Sequence, residues 1–197
     1  MSDFAEANHN KDFTLIARDC VGGVLYHQLG LRFLTPTINL FFTPEDFNAL
    51  CLNLKEYLEA ELVEASGEDK PYPVGALIPK GLNAIKVHFM HYETFVEAKS
   101  KWDERKTRVH WDNIFVLSTV CYVPEASAVT PELIQRWNQI PYRKAILVDR
   151  PYGFDDEHVI AKPAACEEFA WLLFTPNPEE PWRRTFNDFD FLRFLNP

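Results

Sequence analysis

The first residues able to do chemistry stand together in Arg18-Asp19-Cys20-Val21-Gly22-Gly23. A cysteine followed closely by two glycines suits the turn from a strand into a helix, where the backbone bends tightly and comes close to a ligand. Unpaired N–H groups at the helix start then favour an anion at Gly22 and Gly23. The same field favours thiolate over thiol, which makes Cys20 a candidate nucleophile. The competing reading is a tight turn around a buried cysteine. The segment spells neither a Walker A loop nor GxGxxG, so it carries no established nucleotide specificity.

Histidines come second, in Val87-His88-Phe89-Met90-His91-Tyr92-Glu93. Strand alternation puts His88 and Met90 on one face and Phe89 and His91 on the other, a poor arrangement for chelation. Either imidazole suits general acid/base work or a substrate hydroxyl, since it titrates near neutrality. A histidine hydrogen-bonded to backbone is the structural alternative. The third cluster runs from Lys101 and Trp102 through Arg105 and Arg108 to Asp112-Asn113. If the helix continues, Arg105 and Arg108 share a face and could clamp phosphate or carboxylate. Trp102 offers a ring for a sugar face or for packing, and Asn113 a polar tie before a strand. Against the clamp stands a solvated helix end whose arginines pair with Asp103 and Glu104.

Cys20, His88 and His91 are therefore the catalytic candidates. Gly22, Gly23, Arg105, Arg108, Asn113 and Trp102 are the substrate- or anion-binding ones. No metal site is expected: Cys20, Cys51, Cys121 and Cys166 have no ligand rhythm, and Asp188-Phe189-Asp190 is a cheap spelling in a chain with 29 acidic residues. No cofactor signature emerges. The absence of GxSxG and HExxH removes two hydrolase designs.

These side chains need a scaffold, and the chain has the material for one. Its 197 residues are 47% apolar and 14% aromatic, enough for one core. Short apolar runs at Phe13–Ala17, Ile38–Phe42, Ile85–Met90, Ile114–Thr119, Ala145–Val148 and His158–Ala161 predict strands. Helices are predicted over Val24–Leu29, Thr43–Glu61, Glu93–Lys106 and from Pro131 onward. Strands alternating with helices imply an α/β fold: a single domain over 1–197, with a mostly parallel β-sheet, helices on both faces, and residues 1–11 as a flexible leader. Ligands in such sheets bind beyond the carboxyl ends of the strands. The net charge of −9 disfavours nucleic acid as a partner unless a basic face is segregated. No apolar run reaches the roughly 20 residues that cross a bilayer, and the start, MSDFAEANHNKDF, is no secretory signal. A cytoplasmic location is expected. Oligomeric state is not encoded in any pattern here.

In order along the chain, Cys20-Val21-Gly22-Gly23, Leu29-Gly30-Leu31, Thr35-Pro36-Thr37-Ile38-Asn39-Leu40-Phe41, Tyr72-Pro73-Val74-Gly75, His88-Phe89-Met90-His91-Tyr92, Lys101-Trp102, Arg105, Arg108, Asp112-Asn113 and the closing Phe189–Asn196 resemble the DUF1919 family. The resemblance covers nearly the whole chain. It implies a bacterial α/β protein associated with exopolysaccharide or capsule biosynthesis, and a glycan precursor as partner. The function expected is a transferase acting on that precursor with an anionic donor, a sugar nucleotide or an acyl-CoA. The alternative is a non-catalytic accessory or glycan-binding protein of such a pathway, using Trp182, Phe186, Phe189 and Phe191 as an interaction surface.

Overall fold

A computed structural model describes residues 3–67, 69–120, 129–160, 174–177, 179–180 and 182–196. Cys121, Ala161, Cys166 and Trp171 lie outside the described residues. Four parallel strands form the main sheet in the order β1-β5-β6-β7: β1 (Thr14–Ala17), β5 (Ile114–Thr119), β6 (Arg143–Val148) and β7 (Glu157–Val159). Period-two alternation divides their side chains between two cores. Ile16, Val116, Ile146 and Val148 face one core, and Leu15, Ala17, Phe115, Leu117 and Leu147 face the other.

The first core is roofed by α3 (Pro44–Leu52), α4 (Leu54–Glu59), α5 (Phe95–Lys106) and α6 (Pro131–Asn138). The second is closed by α2 (Val21–Gln28) and the aromatic C-terminus, where a 3-10 turn (Thr185–Asp188) leads into α7 (Phe191–Leu195). Helices on both faces of a mostly parallel sheet are the α/β fold predicted. Beside the parallel sheet lies a second, antiparallel one of β2 (Leu62–Glu64), β3 (Val74–Leu77) and β4 (Ile85–His88). It places β4 outside the parallel sheet, where its Ile85 and Val87 join the first core.

Three expectations change. The helix predicted over Thr43–Glu61 breaks at Asn53, whose side-chain amide donates to the Ala49 carbonyl at 3.4 Å in competition with the helical backbone. Ile38–Phe42 is not a strand: Asn39 turns the chain at φ +62°, and only a single bridge joins Phe41 to His88. This segment crosses the end of β1 instead, where Phe42 N–H bonds the Arg18 carbonyl. The leader folds back as α1 (Asp3–Ala7), with Ala5 buried. The side-chain Oδ1 of Asn196 accepts from the N–H groups of His9 and Asn10, both at 2.9 Å.

Gly22 is a packing residue. A Cβ there would lie 2.5 Å from the Ala17 Cβ, so its missing side chain is what lets α2 rest on β1. Gly23 has room, its nearest neighbours being Ile38 side-chain atoms at 3.7 Å. Gly22→Ala should therefore lower stability, because overpacking of about 1–3 kcal/mol exceeds the helix-propensity gain of at most about 1 kcal/mol. Gly23→Ala should be neutral or stabilising. Chemical denaturation of both variants checks the contrast, and equal effects would refute it.

Candidate functional site

Where β1 and β5 end, three polar side chains are buried together. Arg18 is 1% exposed and Asp19 5%. An Arg18 Nη2–H donates to Thr119 Oγ1 at 2.8 Å, and the Thr119 hydroxyl donates to Asp19 Oδ2 at 2.5 Å. Arg18 also donates to the Phe42 carbonyl at 3.2 Å and faces Asp19 at 3.7 Å. Asp19 Oδ1 accepts the Val21 N–H at 3.0 Å, capping the first turn of α2 with a carboxylate. The relay thus joins the ends of two strands, the start of a helix and the crossing loop.

A cavity of about 430 Å³ opens beside this relay, in the size range of small-molecule sites. Asp19, Cys20, Gly23 and His27 reach it from the β1–α2 turn. Asn39 and Phe41 come from the crossing loop, and Met90 and His91 from the turn after β4. Apolar atoms dominate its wall, with Val24 and Phe174 adding to Phe41 and Met90. The cavity opens beyond the carboxyl end of β1.

Cys20 lines the cavity, but as a thiol. Burial first, and the neighbouring Asp19 charge second, push its pKa up to about 12. Burial above all, and Asp19 at the same helix start, oppose the predicted thiolate. His91 reaches the same cavity, whereas His88 does not. The strand ends at His88 and turns, so alternation no longer separates Met90 from His91. His88 is buried behind Phe41, with the two rings stacked at 4.5 Å and 10°.

The arginines lie one ring further out. Arg105 donates to the Tyr92 hydroxyl at 2.7 Å, and its guanidinium lies 5.4 Å from the centre of Phe33. Phe33 packs edge-on against His27, which does line the cavity, at 5.1 Å. Tyr92 donates in turn to the Ile38 carbonyl at 3.2 Å. Burial raises its pKa, and Arg105 opposes that rise. Arg108 lies past the end of α5, donates to the Phe33 carbonyl at 3.3 Å and pairs with Glu104. The two guanidiniums converge on the Phe33 segment, not on one open face.

Two candidates sit elsewhere. Trp102 is 1% exposed in the first core, edge-on to Phe89, with no face for a sugar. Asn113 precedes β5 at the opposite end of the sheet, about 20 Å from Thr119 at the usual strand rise. There its amide ties down Asn10 and the Asp12 carbonyl. Asp188 pairs with Arg183, and Asp190 caps α7 through the Arg193 N–H. Reading motifs missed Asp19, His27, Asn39 and Phe41. The signal for Asp19 is its place directly after a strand, within the segment whose cysteine and glycines drew the attention.

A parallel sheet sheathed on both faces, with a cavity at the strand ends and an antiparallel sheet alongside, defines a mixed α/β protein. Within that class the chain belongs to the DUF1919 family, a domain of unknown function, whose model matches residues 4–196. It is 35% identical over 144 residues to an uncharacterized protein of Haemophilus influenzae. That match takes in 73% of this chain and 65% of the relative's own length.

Two outcomes follow from this geometry. Arg18→Met should destabilise by about 3–5 kcal/mol, because it strands the buried Asp19 carboxylate. Urea denaturation reads this, and a loss below 1 kcal/mol would show that the relay is dispensable. Alkylation of Cys20 by iodoacetamide, followed by peptide mass spectrometry, should be negligible at pH 7. Its rate should still climb about tenfold per unit up to about pH 9.5, since only the thiolate reacts and the raised pKa keeps it scarce. A plateau near neutrality would contradict the neutral thiol.

Proposed function

We propose that this protein is a transferase acting on a surface-glycan precursor, with an anionic donor such as a sugar nucleotide or an acyl-CoA. The observation that carries the reading is the convergence of Asp19, Cys20, His27 and His91 on one cavity at the ends of parallel strands. Carboxylate and imidazole are the groups that move a proton from an acceptor hydroxyl. Arg105, one ring beyond His27, would meet the donor's negative charge. The link to exopolysaccharide or capsule, and a cytoplasmic site of action, rest on the family resemblance and on the absence of a spanning signal in the sequence. Among the described residues, no helix is long and apolar enough to cross a membrane.

The accessory alternative relied on an exposed aromatic end. Phe186, Phe189 and Phe191 are instead core residues, 0%, 7% and 1% exposed. Trp182 remains partly exposed and stacks on Phe4 at 5.6 Å. This leaves the accessory reading without its supporting surface.

The test is thermal unfolding with UDP-, GDP- and CMP-sugars and with acetyl-CoA. A true donor at a hundred times its Kd should stabilise by about 2.7 kcal/mol, a rise of several degrees in Tm. Arg105→Ala should abolish that rise while melting cooperatively by itself. If no compound on the panel shifts Tm, the transferase reading fails and the accessory role takes its place.

A further inference from the structure

Exposure sorts the residues around the cavity by depth. Asp19 is buried, Cys20, Val24 and Met90 are half-buried, and His27 and His91 are exposed. The imidazoles therefore stand at the mouth, where they can hold or pass a proton. Below them the sides are apolar. The Met90 thioether adds a flexible, polarizable surface that adapts to irregular hydrocarbon shapes.

Charge is scarce inside. No lysine or arginine lines the cavity among the described residues. The Asp19 carboxylate is 5% exposed and is balanced by the Arg18 guanidinium 3.7 Å away. Its two oxygens accept from the Val21 N–H and the Thr119 hydroxyl, which also closes the N-terminal turn of α2 to an anion. Cys20 adds no charge, because burial first and Asp19 second push its pKa up to about 12. A neutral thiol packs as a small apolar group. A phosphate entering this space would lose its water without gaining a cation. A hydrocarbon chain would lose nothing polar and would gain by leaving water.

Outside the mouth the balance reverses. Arg105 lies 5.4 Å from the centre of the Phe33 ring, which is itself 5.1 Å from His27. One guanidinium nitrogen donates to Tyr92, and the remaining N–H groups give it further donors for an anion. A molecule with hydrocarbon at one end and phosphates at the other meets a suitable surface at each.

We infer that the cavity takes the acyl chain of an acyl thioester, with the carbonyl at the two histidines and the phosphates of the carrier outside toward Arg105. This rests on the transferase reading and deepens it: of the two donors named there, it selects the acyl-CoA. In the transfer it implies, the acceptor's hydroxyl oxygen forms the new ester bond to the acyl carbon and the C–S bond breaks. The hydroxyl proton passes by way of an imidazole to the departing thiolate.

Isothermal calorimetry on the full chain tests this with coenzyme A, its acetyl, butyryl, hexanoyl and octanoyl thioesters, UDP and GDP with their sugar conjugates, and octyl glucoside. Affinity should rise about fourfold for each methylene added beyond acetyl-CoA until the cavity is filled. Val24→Phe, which occupies part of the space, and Met90→Gln, which keeps the side chain's length but makes it polar, should each remove most of that rise and leave coenzyme A affinity unchanged. Arg105→Ala should weaken coenzyme A and all its thioesters by the same factor. Thermal melting checks that each variant is folded. Affinity that does not depend on chain length, or a dependence that neither cavity variant alters, overturns the assignment. Sugar-nucleotide binding with no gain from any acyl chain overturns it too, and leaves the transferase reading standing. Octyl glucoside binding that both cavity variants weaken, without any response to the thioesters, gives the chain to a lipid-linked acceptor and overturns the donor assignment. Silence from every probe removes both this inference and the transferase reading.

Discussion

The site depends on the solvation of one guanidinium. Arg18 is almost wholly withdrawn from water, so its charge must be met by the protein. Thr119 meets it from β5, Phe42 from the crossing loop and Asp19 from its own turn. Each partner belongs to a different stretch of chain, and each is drawn to the same point. Such buried pairs contribute little net stability but penalise every arrangement that separates their members. Among the described residues the Arg18 Nε finds no hydrogen-bond partner, so within them the arrangement is held with one donor unmet. That is the behaviour of a device that fixes geometry more than it stabilises.

What the guanidinium fixes is the cavity floor. Asp19 is pinned on both oxygens, and Cys20 and the start of α2 follow from it directly. The loop through Asn39 and Phe41 is anchored by Phe42, whose N–H bonds the Arg18 backbone and whose carbonyl bonds its side chain. A second chain of contacts secures the outer side. It runs from Arg105 to Tyr92 and the Ile38 carbonyl, and from Arg105 through Phe33 to His27. Ile38 in turn stands next to Gly23, 3.7 Å from where a Cβ would lie. The cavity is thus gripped between two polar anchors, one buried and one at its rim.

The sequence announced elements whose periodicity is long or strongly apolar. Ile114–Thr119 reads as a strand because all six residues are buried between the two cores, and α6 starts at Pro131 behind its Thr130 cap. It hid β2 and β3. Leu62–Glu64 is too short to show a period, and β3 includes Gly75, where a Cβ would lie 2.7 Å from Leu62. Among site residues, Cys20, Gly23 and His91 were legible from chemistry and position. Phe41 was hidden in an apolar run that reads as a strand, because nothing local reveals that Asn39 will turn the chain. Trp102 and Asn113 looked functional for the opposite reason: a large ring and an amide serve packing and ties as well as ligands, and only tertiary placement separates the two uses.

Cys20 is the clearest case of two sound rules in conflict. A helix N-terminus stabilises negative charge by about 0.3–1 kcal/mol, which is less than one pKa unit. Burial opposes the thiolate, and so does the carboxylate one residue earlier, and together they carry the thiol from its ordinary 9.0 up to about 12. The larger effect wins by several-fold, burial first, and the sequence order adds to it. Asp19 precedes Cys20, takes the free N–H of Val21 and spends the helix field on itself. An aspartate and a cysteine at adjacent positions cannot both be the anion of one short turn. It is Asp19, not Cys20, that accepts the N–H of the first helical turn.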